Sequence, residues 1–477
     1  RPQVIGPPSA VDREMEYIQQ SLPKPAHPGT SELNGLNLNI TIPETMLNSP
    51  HAKKLPVFVF IHGGGFAIGA NWWPQYDTAA LVKLSVQEGT PIVAVNINYR
   101  TGCPGFLTTP ELREKGYKAN NGLRDQRAAL HWVQRYISGF GGDAENVTVG
   151  GQSAGGVSTG LLLFSEEALA KRLLFLGGCP PLVGSLPMSS ADEIGGAFMR
   201  ILGVDGPDAV GGLLRVAPDE LWQKLPPMLP MAPVIDGDIV PHASTFQTLT
   251  SKLAKSPWCD AVMLGQSELD SSIFAHMITP KGTKDIGLAF RKSAAKTLGH
   301  YPASVVEGLL EHYGLSEPCS LDDDAQLKSI LHFANDICFF APSIELAAHF
   351  AGTSYVFCFN EPNPWPGDFQ GYASHILDAA FLFQNYNACL DEGQRANAVR
   401  LATDVIAFVN GKAPWNAFNE GQHGTAVYAN GQRTFTSEPP TPETIKRDPF
   451  IFILSQRKDI NLTLDDLMKV FTDFLSS

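Results

Sequence analysis

The seven residues Gly150–Gly156 read GGQSAGG and follow directly on NVTV (Asn146–Val149), a short alternating apolar stretch. Within them stands Gly-x-Ser-x-Gly, made of Gly151, Gln152, Ser153, Ala154 and Gly155. Nothing else in the chain restricts the fold so narrowly. A strand must end there, turn sharply and enter a helix, which lifts the serine to the tip in a strained backbone conformation. Small residues are needed on both sides of so tight a turn. The serine then meets the first turn of the helical stretch VSTGLLLF, whose free N–H groups face developing negative charge. Alone, a glycine-rich pentapeptide is a common turn; between a strand and a helix it points to a nucleophile. A second glycine run, IHGGGF (Ile61–Phe66), closes the apolar run LPVFVFI. Its glycines let the backbone approach a ligand with N–H groups inward, as an oxyanion requires. A flexible turn or a phosphate loop would also use glycine, but the GK[S/T] ending of a P-loop is absent.

Leu55–Ile61 (LPVFVFI) and Pro91–Tyr99 (PIVAVNINY) have the pattern of strands covered on both faces. Leu36–Pro43 (LNLNITIP) alternates and predicts an edge strand, while Ala261–Leu264 (AVML) and Ser354–Phe359 (SYVFCF) predict two more. Helical spacing marks Gly122–Ile137, Asp285–Gly314, Asp322–Phe350, Ala396–Asn410 and Leu464–Leu475. Strand, helix, strand in that order predicts the α/β class, with a mainly parallel sheet and crossover helices. Residues 1–30 are rich in Pro and polar residues and read as an N-terminal arm. Residues 178–235, with many Gly and Pro, read as helical insertions over the sheet. One catalytic domain over 1–477 is expected.

Composition excludes other classes. With 477 residues, 44% apolar and 17% charged, a large core can form, and disorder or a coiled coil is ruled out. Lys and Arg total 35 against 48 Asp and Glu, and a net charge of −13 argues against nucleic acid or an anionic membrane as partner. No apolar run approaches the roughly 18 residues of a membrane span. The seven cysteines are widely spaced and lack any C-x-x-C, so neither a metal cluster nor a redox dithiol is indicated.

Several longer stretches then carry a specific likeness. NYR (Asn98–Arg100), NNGLRDQRAALHWV (Asn120–Val133), FGGDAENVTVGGQSAGG (Phe140–Gly156) and PVIDGDIVP (Pro233–Pro241) occur in the order found in type-B carboxylesterases. That family is the α/β-hydrolase branch that includes cholinesterases and fungal esterases and lipases. The resemblance spans about residues 31 to 420 and implies the α/β-hydrolase fold, a central mostly parallel sheet flanked by helices with large helical insertions over the active site. Ser153 resembles the family nucleophile, and Gly64, Gly65 and Ala154 its oxyanion donors. A serine needs a base, and that base needs a carboxylate to fix its tautomer. Among twelve histidines, His62 reads as shaping the glycine loop and His131 as structural on its amphipathic helix. His375 stands out in GYASHILDAAFLF (Gly371–Phe383), late in the chain and after SYVFCF, and resembles the family histidine with Asp378 three positions on. In LGQSELDSSIF (Leu264–Phe274) the resemblance implies Asp270 as the acid, with Glu268 the alternative two residues away.

The chain also departs from the family. Gln152 stands where Glu usually precedes the serine, which removes a negative charge beside the acyl site. Gly35, in SELNGLNLNI, stands where the family cysteine would be, so the N-terminal disulfide loop of secreted members is missing. This tilts localisation toward the cytoplasm, with secretion, to which the sequons at Asn39, Asn146 and Asn461 point, as the alternative. Gln152, Phe66, Trp72, Trp73 and Phe140 are candidate substrate-binding residues, and no metal or organic cofactor is implied. The function expected is a serine carboxylic-ester hydrolase acting on a small-molecule ester. The alternative is a lyase, lactonase or transacylase of specialised metabolism using the same scaffold and His375. A non-catalytic adhesion protein would lack a triad member.

Overall fold

The structure is a computed structural model and describes residues 1–47, 53–224, 231–419, 422–437 and 461–476. Its strands are β1 (Leu38–Thr41), β2 (Leu55–Ile61), β3 (Val93–Ile97), β4 (Gly142–Gln152), β5 (Arg172–Leu176), β6 (Ala261–Ser267), β7 (Thr353–Phe359), β8 (Phe418–Asn419), β9 (Gln422–His423), β10 (Thr425–Ala429) and β11 (Gln432–Thr436). Side-chain alternation along them builds two core layers. In β2, Val57, Val59 and Ile61 join one layer, while Phe58 and Phe60 join the other. The same division separates Leu173 and Phe175 from Leu174 and Leu176 in β5. A sheet buried on both faces explains why these runs are almost unbroken in apolar residues.

All strands described belong to one sheet, with the path β1-β3-β2-β4-β5-β6-β7-β10-β11 and the short β8 and β9 beside β7. From β3 to β10 the neighbours along that path run parallel; β1 on β3 and β11 on β10 are antiparallel. The parallel strands therefore end on one edge, where the loops of an open α/β sheet gather a site.

Several elements differ from the sequence expectations. The N-terminal arm contains a helix, Ala10–Ile18, whose Val11, Met15 and Ile18 are buried in the second core layer. Their helical spacing was hidden between prolines. The strand expected at Asn146–Val149 extends over Gly142–Gln152. Asp285–Gly314 is two helices, Ile286–Leu298 and Ala303–His312, because Gly299 and Pro302 interrupt the pattern. Asp322–Phe350 stays helical but passes through a π turn at Asp336–Phe340.

Within 178–235 the described residues form helices at Met188–Leu202, Ala209–Leu214 and Glu220–Gln223; residues 225–230 lie outside those described. Phe198, Met199 and Leu202 pack on Cys103, Leu107 and Leu112 as a satellite cluster. Arg113 grips Asp192 with two hydrogen bonds of 2.6 and 2.8 Å. Two stretches far apart in sequence meet here: Asn120 bonds both the N–H and the carbonyl of Val234, and Arg124 pairs with Asp236 at 2.9 Å.

Candidate active site

β2 and β4 lie side by side with Ile61 opposite Gly151, so the glycine loop and the serine turn emerge together. Ser153 sits at φ 54° and ψ −122°, between buried Gln152 and Ala154. The turn is fixed by its own backbone: Ser153 N–H donates to Leu176 at 2.9 Å, and Ser153 C=O accepts from Val157 at 3.0 Å. Gly155 is obligatory, since a Cβ there would overlap the carbonyl oxygen of Ile61. Gly64 and Gly65 take φ of 93° and 60°, and among the described residues no backbone hydrogen bond uses their N–H groups or that of Ala154. His62 stacks on Tyr99 at 4.4 Å and holds Gly63 C=O at 3.0 Å through Nδ1, and burial pushes its imidazole down to about 4. It shapes the loop as a neutral ring.

The other two candidates arrive from the next strand ends. Asp270 follows β6 and His375 follows β7, and their segments are tied by a bridge between Leu269 and Ser374. His375 Nδ1 lies 2.9 Å from Asp270 Oδ1, with the two side chains 2% and 0% exposed. Asp270 Oδ2 accepts from Ser267 N–H at 2.6 Å, so both oxygens are engaged. Ser272 Oγ accepts the His375 N–H at 3.0 Å. Glu268 turns elsewhere: its Oε2 accepts from Ala373 N–H at 3.2 Å and braces the histidine loop. Of the two carboxylates left open by the sequence, Asp270 is the one on the imidazole.

Three further neighbours surround the pair, of which only Asp378 had been named from the sequence. Gly177, after β5, has φ 48°, and a Cβ there would lie 2.6 Å from Asp270 Oδ1 and 3.3 Å from His375 Nδ1. The run RLLFLGG (Arg172–Gly178), apolar residues ending on paired glycines, was the available signal. Phe339 meets His375 at 5.5 Å between ring centroids, presented by the π turn, a distortion common at functional sites. Asp378 is wholly buried; desolvation, and then the charge of Asp270, push its carboxyl up from the ordinary carboxylate range. Its Oδ1 accepts from Ala379 N–H at 2.7 Å.

The aromatic pocket candidates fare differently. Phe66 is wholly buried against Phe106, and Trp73 is in the core against Tyr76. Trp72 donates from Nε1 to Gln3 Oε1 at 2.6 Å, which ties it to the N-terminal segment. Phe140 does not line the site. It precedes β4, whereas Ser153 follows it, so the two stand at opposite ends of that strand. Its ring is 42% exposed and rests on Trp132. Gln152 alone of the set touches the triad candidates, with Nε2 3.2 Å from His375 Nε2. Among the described residues no group of three His, Cys, Asp or Glu could hold a metal ion.

A solved PNB esterase matches with a TM-score of 0.69 at 26% identity, over 88% of this chain and 86% of that one. Together with the parallel sheet and the strand-end residues, this defines the class as the α/β-hydrolases. The sequence profile of the Carboxylesterase family matches residues 9–422, and the chain belongs to that family. Among curated relatives, a secreted lipase of Arthroderma benhamiae is 46% identical over 132 residues, 28% of this chain and 23% of the lipase. The para-nitrobenzyl esterase of Bacillus subtilis is 40% identical over 172 residues, 36% of this chain and 32% of the esterase. The matched parts thus span a quarter to a third of those two relatives.

Proposed function

We propose that this chain hydrolyses carboxylic esters of small molecules through an acyl-enzyme on Ser153. His375 takes the Oγ proton through Nε2 as the oxygen attacks the ester carbonyl. Asp270 accepts the Nδ1–H, holds the tautomer and stabilises the imidazolium. The N–H groups of Gly64, Gly65 and Ala154 bind the oxyanion of the tetrahedral intermediate. The imidazolium then protonates the leaving alcohol. Water repeats the sequence on the acyl-enzyme and releases the acid. The observation that carries this reading is the 2.9 Å contact between His375 and Asp270, buried beside a serine held at positive φ.

Family membership and the names of the relatives, a lipase and a para-nitrobenzyl esterase, support ester hydrolysis and suggest two ester classes to compare. The helices between Met188 and Gln223 serve as a cover that sets the choice between them. The secreted lipase also favours secretion over the cytoplasmic setting expected above. No helix among the described residues is long and apolar enough to cross a membrane. The test is hydrolysis of p-nitrophenyl esters of graded acyl length by wild type and Ser153→Ala. Turnover by wild type alone supports the reading; equal turnover by both contradicts it.

A further inference from the structure

The 2.9 Å contact with Asp270 places the single proton of a neutral His375 on Nδ1 and leaves Nε2 as a bare acceptor. That lone pair is the one the nucleophile needs, and it is already in use. Gln152 Nε2 lies 3.2 Å from it, and among the described residues no hydrogen bond joins Ser153 Oγ to the ring. Gln152 is wholly buried, and its other amide atom, Oε1, has no hydrogen-bond partner. Room for that oxygen exists because residue 63 is glycine; a Cβ there would overlap it. Amide nitrogen and oxygen are nearly equal in size, so a half-turn of the amide exchanges them without repacking.

We propose that Gln152 is a positioning residue for the base, an amide that serves both protonation states of His375. It donates to Nε2 of the neutral ring. When Nε2 gains the proton, the amide turns over and its oxygen, otherwise unpartnered, accepts from the imidazolium. The proposal rests on the Ser153–Asp270–His375 reading and deepens it. Because the amide carries no charge, it favours the imidazolium only through the stronger, charge-assisted bond. The ionisable groups on the elements around the ring are Asp270 on Nδ1, Asp378 in the same segment, Glu268 on the Ala373 N–H, His62 on the glycine loop, and Asp336 and Cys338 on the helix carrying Phe339. The contact on the Nε2 side of the ring comes from Gln152, at 3.2 Å.

The test is kcat/KM against pH for p-nitrophenyl acetate in wild type, Gln152→Glu and Gln152→Met. An NMR titration of the His375 imidazole in each accompanies it. A carboxylate accepts only, so Gln152→Glu should move the acid limb and the imidazole titration up by on the order of one pH unit. Gln152→Met has no donor and only a weak acceptor; it should lose about tenfold in kcat/KM and shift both readouts down. Unchanged titration in both variants, with circular dichroism showing them folded, would overturn the proposal. The imidazole titration needs no turnover, so it reads the contact even if wild type fails to hydrolyse the ester, an outcome that would instead defeat the esterase reading.

Discussion

Ser153 holds a backbone conformation that costs a non-glycine residue on the order of 1–3 kcal/mol, maintained by Leu176, Val157 and the glycines about it. Such strain persists where the surroundings over-determine it, and here it aims one hydroxyl at a site. The acid beside it makes the sharpest residue-level expectation. Asp270→Asn should lose on the order of three to four decades in kcat, because an amide on Nδ1 favours the wrong tautomer. Glu268→Gln should lose far less, since Glu268 braces Ala373 rather than the imidazole. Both are read as kcat side by side, with circular dichroism for folding; the reverse ranking would redraw the triad. Gly177→Ala should cost at least tenfold in kcat, since its Cβ would press on Asp270 Oδ1 at 2.6 Å. A variant with normal kcat would show that the acid has slack. Ser153 was legible because its motif is local. Gly177 was not, because its role depends on β5 lying between β4 and β6, a neighbourhood that no local pattern encodes.

At the scale of elements, the N-terminal helix Ala10–Ile18 carries an unusual buried acid. Glu14 is 1% exposed, receives the Tyr76 hydroxyl and the Gln75 amide, and is pushed up to about 7 by desolvation. A carboxyl raised in the folded state contributes stability that is complete below its unfolded value and is lost as pH rises through the folded one. Wild type should therefore lose up to roughly 3 kcal/mol more than Glu14→Gln between about pH 4.5 and pH 8. Urea unfolding of the two proteins across that window measures it, and parallel curves would contradict it. The helix escaped the sequence reading because Pro2, Pro7 and Pro8 before it and Pro23 and Pro25 after it dominate the composition. Strands β2, β3, β6 and β7 were legible for the opposite reason: burial on both faces writes itself as an apolar run. β10 and the edge strand β11 were missed; β11 has only exposed and half-buried positions and carries little apolar signal.

For the whole molecule, the parallel sheet is what turns scattered residues into a site. Loops after β2, β4, β6 and β7 carry the proposed oxyanion donors, nucleophile, acid and base, and adjacent strand ends bring them together across more than 300 positions of sequence. The motifs at Gly63–Gly65 and Gly151–Gly155 could be read without the fold. The preference for Asp270 over Glu268 rested on the family resemblance, because what lies opposite each of them is set by the fold. Phe140 was misplaced for a related reason: it adjoins the serine motif in sequence, yet it stands at the opposite end of β4 from Ser153. The central claim is covalent catalysis at Ser153, and trapping the intermediate tests it most directly. Wild type mixed with excess p-nitrophenyl acetate, acid-quenched during turnover and digested, is analysed by mass spectrometry. One acetyl group on the peptide containing Ser153, absent from Ser153→Ala, is the expected result; steady ester turnover with that peptide unmodified would contradict the account.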